Sequence, residues 1–374
     1  LRGIPPAVSA AVETAAAEDQ SPSSISMGLP PGFPLQPAYL IRIFETNQQN
    51  WTQNSPDPAG IDFNPAIGQL IIVDSEVDEI GTPLSKPNVF YASTEGDLIS
   101  VQDTYTTTNP IANPITKETS GVAINPNNQH IFFADDDNGK ILELEHGSDG
   151  NLWTEDDVWT VKTVGTDAED VAYGNNMIFV AGGGENEFLV INLGTDGVIS
   201  PDDGLINAYD TEMEGFSDVE GITFNEVTGT LFLVSTTATE PYLGEFSLIG
   251  ELLNAWDLSF MGTDANIRSG LTFAPASADP SVDHIYIVSR GIDNDYGVDP
   301  DPEEDDGKVW EIALVEPATP TPTDTPTPSD TPTDTPTPTP TDTPTSTDTP
   351  TETPTETSTT PPLEYHVFLP YVVN

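Results

Sequence analysis

One short pattern recurs five times between residues 38 and 316, and it constrains the fold more than any other feature of the chain. A small or acidic residue is followed by an aliphatic one, then any residue, then an aromatic or aliphatic one, often with Asn-Pro next. The copies are Gly60-Ile-Asp-Phe-Asn-Pro65, Gly121-Val-Ala-Ile-Asn-Pro126, Asp170-Val-Ala-Tyr173, Gly221-Ile-Thr-Phe-Asn225 and Gly270-Leu-Thr-Phe-Ala-Pro275. Their starts lie 61, 49, 51 and 49 residues apart. A β-prone run follows each, at 69–74, 130–134, 177–181, 230–235 and 284–289. A third run follows at 89–92 or 98–101, 140–144, 188–193, 242–248 and 308–314, and a fourth at 158–164, 205–210 and 252–258. Four antiparallel strands per unit of about 40–50 residues predict an all-β fold, a β-propeller of four-stranded blades. No blade can bury its faces alone, so the ring has to close. The last repeat lacks a fourth strand, and Tyr39-Leu-Ile-Arg-Ile-Phe-Glu45 precedes the first. The N-terminal strand is therefore expected to complete the last blade. The count is five blades; the long first interval, with an insert at 80–87, leaves room for six.

Composition divides the rest of the chain. Residues 317–362 hold 21 Thr and 14 Pro in 46 positions. Such a tract cannot bury a core. Proline at this density favours polyproline II, at about 3.1 Å per residue, or roughly 140 Å if fully extended. Thr at nearly every second position, Thr321, Thr323, Thr325 and Thr327 among them, is the composition of an O-glycosylated stalk; the alternative is a bare linker. Residues 363–374 form a β-prone end. Tyr365, Val367, Leu369, Tyr371 and Val373 share one face, with Phe368 and Val372 on the other. An apolar strand of this kind has to pair with something, so it is read as an assembly strand. At the other end, residues 1–37 read as a tether with a short helix near 7–19, where Ala is dense.

Charge narrows the function. Nine Lys+Arg against 62 Asp+Glu leave a formal charge of −53. Nucleic acid is excluded as a partner, since phosphates would be repelled, and anionic membranes are disfavoured. No cysteine is present, so disulfides, thiolate metal sites and cysteine nucleophiles are impossible. No apolar run is long enough to span a membrane.

Acidity on this scale serves either solubility, including growth in high salt, or divalent cations, because Ca²⁺ takes hard oxygen ligands from clustered Asp and Asn. Three loops are candidates. The stretch 293–307 carries eight carboxylates and no basic residue, with Asp293, Asp295, Asp299 and Asp301 at ligand-like spacing. The stretch 147–157 offers Asp149, Asn151, Asp156 and Asp157 around Gly150, and 194–203 repeats its pattern. A third is the turn Asp135-Asp-Asp-Asn-Gly139, which is also plain hairpin chemistry. Solvated acidic loops are the alternative in each case.

A further set of acids sits where the first strands of the blades would open on the propeller axis. Three places before each repeat start are Asp57, Glu118, Asp167, Asp218 and Ile267; one place before are Ala59, Ser120, Glu169, Glu220 and Ser269. Acids thus ring one end of an expected axial channel, with Arg268 among them. The run from Asp218-Val-Glu-Gly221 to Ser235 resembles the blade motif of the phytase-like and SdiA-regulated bacterial propellers. The resemblance implies a glutamate facing the channel and, for phytase-like members, Ca²⁺-dependent hydrolysis of phosphate esters. It carries over at Asp218, Glu220 and Gly221, with Asp167 and Glu169 as a second copy. Separately, the Thr/Pro tract followed by the terminal strand resembles secreted bacterial surface proteins that end in a VFLPLVV-like segment, which implies an extracellular or cell-surface location.

The catalytic inventory is poor. Phosphate-ester hydrolysis needs cations around the phosphate, and only Arg268 and Arg290 lie near the predicted axial strands. The four histidines show no ligand or base spacing, and no Gly-x-Ser-x-Gly elbow exists. The expected function is a secreted, non-enzymatic surface or filament protein that polymerises with itself through 365–373. A Ca²⁺-dependent phosphoesterase and a glycan-binding adhesin are the alternatives.

Overall fold

The computed structural model describes residues 28–47, 50–75, 87–104, 116, 119–136, 138–165, 167–182, 187–200, 203–235, 241–265, 268–290 and 307–317. The chain divides into two units after Thr319. The second, with the stalk and the terminal strand, lies outside the described residues, as do the stretch 291–306 and the short helix expected near 7–19.

The first unit is a propeller of five four-stranded blades. Blade 1 comprises Pro58–Asn64, Gln69–Asp74, Val89–Ala92 and Leu98–Gln102. Blade 2 comprises Thr119–Ile124, Ile131–Asp135, Lys140–Glu145 and Val158–Thr163. Blade 3 comprises Asp170–Gly174, Met177–Ala181, Phe188–Asn192 and Gly204–Tyr209, and blade 4 Val219–Asn225, Thr230–Ser235, Tyr242–Phe246 and Leu252–Asp257. Blade 5 takes Arg268–Pro275, Asp283–Ser289 and Lys308–Ala313, and its outer strand is Tyr39–Glu45. The N-terminal strand closes the ring as expected, antiparallel to Lys308–Ala313 with Ile43 opposite Trp310. Blade 1 uses both candidate runs, one as third strand and one as fourth, and the first interval is long because the connection from Gln102 to Thr119 is longer than the later ones. It hides no sixth blade.

The interleaved apolar pattern explains the packing. Alternate residues of each blade face opposite neighbours, and five buried apolar clusters form, one at each blade–blade interface. Phe132 of blade 2 meets Val171 and Ile178 of blade 3; Ile72 and Phe90 of blade 1 meet Tyr286 and Val288 of blade 5. Aromatic pairs such as Phe179–Phe224, with centroids 5.7 Å apart, cross these interfaces.

One element differs from the sequence reading. Residues 28–37 are not merely a tether. Leu35–Pro37 adds to the outer strand of blade 4 in parallel, with Leu35 opposite Ala255 and Pro37 opposite Asp257, and Leu29 packs on the cluster between blades 3 and 4. Three residues give too short a pattern to read as a strand. Only the presence of an open blade edge beside them makes them one.

Candidate functional site

The first strand of every blade lines the axis, and the repeat start sets how closely these strands approach. Four of the five positions are glycine. A Cβ placed on Gly60 would lie 2.6 Å from the Gly121 Cα, and one on Gly121 2.5 Å from the Asp170 Cα. One on Gly270 would lie 2.5 Å from the Gly60 Cα, and one on Gly221 would run into the Ser269 carbonyl oxygen. Neighbouring backbones therefore touch at this level, which only a missing side chain permits. The inner strands are drawn close together at this level, and the two ends of the axis carry different residues.

The end where the inner strands begin is the acidic mouth. Glu169 and Glu220, each one residue before a repeat start, are half-buried there. Glu220 lies 3.6 Å from the Arg290 guanidinium, which follows the second strand of blade 5. Burial first, and then the Glu220 and Asp136 carboxylates, push the Glu169 carboxyl well above the usual range, against the pull of Arg290. Burial likewise raises Glu220, which Arg290 opposes and Asp218, Asp136 and Asp167 reinforce. A carboxyl that is costly to ionise stands beside one held by a cation.

The structure brings Asp167, Asp218, Glu169 and Glu220 to one mouth, as their positions in the repeat suggest. Asp167 and Asp218 are exposed at its edge, and Asp218 adopts a left-handed φ of 55°, a conformation Asp tolerates better than most residues. Arg268 opens the inner strand of blade 5 and is 1% exposed. Asp57 is buried, and its backbone N–H donates to Asp74. Glu118 and Ile267 lie outside the described residues. Sequence reasoning did not assign Asp136 to the mouth. It reaches the mouth from the turn after the second strand of blade 2, and the only signal was the run of three aspartates in that turn.

The 147–157 loop has an internal use for its acids. The Asp156 carboxylate accepts from the Ser148 hydroxyl at 2.7 Å, the Thr154 hydroxyl at 2.9 Å and the Asp149 N–H at 3.1 Å. These bonds, the hydroxyl ones foremost, hold its pKa down at about 2. Asp157 accepts from the Thr154 N–H, and Asn151 N–H donates to Asp149. The parallel loop in blade 3 repeats the device: Asp203 accepts the Ser200 N–H and hydroxyl. The recurrence that suggested cation loops is thus also a recurring turn closure. Asp135 accepts from the Asn138 backbone N–H and from its side-chain amide, the latter at both carboxylate oxygens. Among the described residues, no group of three or more histidines or acids is arranged to hold a metal. Asp293, Asp295, Asp299 and Asp301 are outside them.

Two histidines that showed no spacing in sequence form buried pairs at equivalent blade positions. His130 Nδ1 lies 2.8 Å from Glu143, and His284 Nδ1 2.7 Å from Glu311. Glu143 also accepts the Ile199 N–H of the next blade, and Glu311 the Ser277 N–H and hydroxyl. Every oxygen faces a donor, so these are braces between strands and loops.

The other end of the axis is a cavity of about 1020 Å³. Its walls come from the aromatic position of the repeat, including Phe63, Tyr173, Phe224 and Phe273, and Asp62 lies in it. Asp62 Oδ1 accepts the Phe63 N–H and the Thr272 hydroxyl, and Oδ2 the Ile124 N–H of blade 2, each at 2.7 Å. Burial pushes its pKa up to about 6 despite these bonds. Asp170, at the level of the glycines, similarly joins blades 3 and 4 through the Ile222 N–H at 3.0 Å, and burial raises it strongly. Sequence reasoning missed Asp62 as a site residue, although it is the one acid at the variable position of the repeat.

No family model matches the chain, and no curated protein does. Solved structures similar to it include a glutaminyl cyclase from Myxococcus xanthus, at 11% identity and a TM-score of 0.47, covering 75% of this chain and 97% of that one. A luciferin-regenerating enzyme gives 12% identity and a TM-score of 0.42, over 72% of this chain and 95% of that one. An aldose sugar dehydrogenase from Streptomyces coelicolor, bound to its PQQ cofactor, gives 13% identity and 0.40, over 74% and 97%. At such identities the likeness concerns the shape of the chain and says nothing of chemistry.

Proposed function

We propose that this protein is an extracellular, non-enzymatic structural protein whose propeller head assembles with other copies by strand addition. The observation that carries this reading is the fifth strand on blade 4. Leu35–Pro37 pairs along the outer strand there, and Gln36 Nε2 donates to Asn254 at 3.0 Å. An outer blade edge in this protein accepts an added strand. The outer strand of blade 3, Gly204–Tyr209, carries no such strand among the described residues and exposes Leu205 and Ile206. An edge with free N–H and C=O groups and apolar side chains is a template for an extended apolar peptide. Residues 365–373 have that alternation, and Pro370, which cannot donate, would sit where no ladder bond is needed. Head-to-tail donation that does not close a ring grows a filament.

Negative-stain microscopy of the full chain, beside a chain lacking 363–374, tests this. Fibres are expected only with the terminal segment present. A truncated chain that still polymerises, or a full chain that never does, overturns the reading. Mass spectrometry tests the stalk: sugar should raise the mass above 40.0 kDa, with the excess on residues 317–362. Calcium is proposed as a ligand of the 293–301 acids, stabilising the folded head.

A second reading, phosphate-ester hydrolysis at the acidic mouth, is favoured by the differing environments of Glu169 and Glu220, since such a pair separates acid from base roles. Against it, the described mouth residues do not make a calcium site, and Arg290 is engaged with Glu220. Turnover of a generic phosphate ester with and without Ca²⁺, lost in Glu220→Gln, would replace the structural reading with this one.

A further inference from the structure

We propose that the cavity at the end of the axis opposite the acidic mouth binds an amphiphilic organic cation, its ammonium group at Asp62 and its apolar body against the aromatic wall. Three features of the site support this. The first is shape. A cavity of about 1020 Å³, beside the level at which neighbouring inner strands touch at Gly60, Gly121 and Gly270, is of the size that small-molecule sites take. The second is the wall. Phe63, Tyr173, Phe224 and Phe273 come from four different blades and each borders the cavity; Tyr173 and Phe224 are stacked on Phe132 and Phe179 in the blade interfaces, and Phe63 and Phe273 are the half-buried ones. Aromatic faces hold a quaternary or protonated amine through their quadrupoles as well as by apolar burial.

The third is charge. Among the described residues the lining includes Asp62, Glu226, Asp279, Asp283 and Glu316, with His284 held by Glu311, but no Lys or Arg. An anion would meet only repulsion, whereas a cation would meet Asp62. That carboxylate receives three donors, one of them on Oδ2, out of about four lone-pair directions. One direction on Oδ2 remains for a ligand. Asp62 is half-buried and borders the cavity, so a ligand can reach it. Four of the five equivalent positions hold Ala123, Ala172, Thr223 and Thr272, so at this level of the inner strands Asp62 is the one charge and lies off-centre.

Calorimetric titration of the full-length chain in 150 mM salt tests the proposal. The probe is benzyltrimethylammonium, compared with its neutral isostere neopentylbenzene, with tetramethylammonium and with benzenesulfonate. One saturable site per chain is expected. Benzyltrimethylammonium should bind about tenfold or more tightly than either the neutral isostere or tetramethylammonium, and benzenesulfonate should not bind. Asp62→Asn should remove most of the preference for the cation over the isostere, and Phe63→Ala should weaken both. Equal affinity for cation and isostere, many weak sites titrating the acidic surface, or a folded Asp62→Asn chain with the cation preference intact would overturn the proposal. If Asp62→Asn fails to fold, Phe63→Ala decides: unchanged affinity for benzyltrimethylammonium refutes the site.

Discussion

Replacing Asp62 by Asn should change how the stability of the head depends on pH, by an amount the structure sets. Asp62 titrates near 3.8 in an unstructured chain and at about 6 in the folded head, because burial raises it more than its three hydrogen bonds lower it. Below about pH 3 the group is protonated in both states and carries no penalty. As the pH rises towards 6, the unfolded chain has already lost its proton while the folded head must give one up in a poor environment. The stabilising contribution of the proton is therefore present at low pH and lost across about pH 3 to 7. A rise of about 2.2 units at about 1.36 kcal/mol each is about 3 kcal/mol. Because Asp62 borders a cavity that admits water, this is an upper figure. Asn keeps the shape but sets a donor against the Ile124 N–H, a cost of about 1–3 kcal/mol that does not vary with pH. The readout is thus the slope of the difference and not its level. Urea unfolding, followed by the five tryptophans, all between residues 51 and 310, gives both chains at pH 4.5, 6 and 7.5. The wild type should lose about 1–2 kcal/mol relative to Asp62→Asn over that range, since about 1 kcal/mol of the total is already lost by pH 4.5, with equal denaturant slopes. A flat difference, or one of opposite sign, would refute the account of Asp62 as a buried, desolvated acid.

Other outcomes are expected from the same geometry. Gly221→Ala drives a Cβ into the Ser269 carbonyl oxygen and should cost about 2 kcal/mol or more in the same assay, whereas Gly204→Ala, with open space around it, should be nearly neutral. Glu169→Gln removes an acid that burial and three neighbouring carboxylates make costly to ionise, so the thermal midpoint at pH 8 should rise, and the gain should vanish at pH 4. Glu143→Ala leaves the buried His130 ring and the Ile199 N–H without their acceptor and should cost about 2–4 kcal/mol, with Glu143→Gln losing less. Excess chelator added to Ca²⁺-loaded chain should lower the thermal midpoint, because an ion held only by the folded state adds stability by mass action; an unchanged midpoint removes calcium from the proposal.

Much of this protein was legible along the chain because its information is local and repeated. Period-two alternation marks a strand, five copies of one motif mark five blades, and a last repeat short of one strand calls for closure by Tyr39–Glu45. Glu169 and Glu220 occupy the same position of the repeat in adjacent blades, and in the folded head their carboxyls act on one another. Tertiary structure decided what depends on ring closure. How near five backbones approach is set by the ring, and at the glycines neighbouring inner strands touch. Asp136 joined the mouth, and Leu35–Pro37 became a strand, because distant segments ended beside them. Asp62 looked like one more variable residue of the repeat; it became the one charge at its level because its equivalents in the other blades are Ala or Thr, and neither its isolation nor its shifted proton affinity exists until the five strands meet. The sequence carries the period of each blade, but desolvation and proximity arise only when the blades are set in a ring.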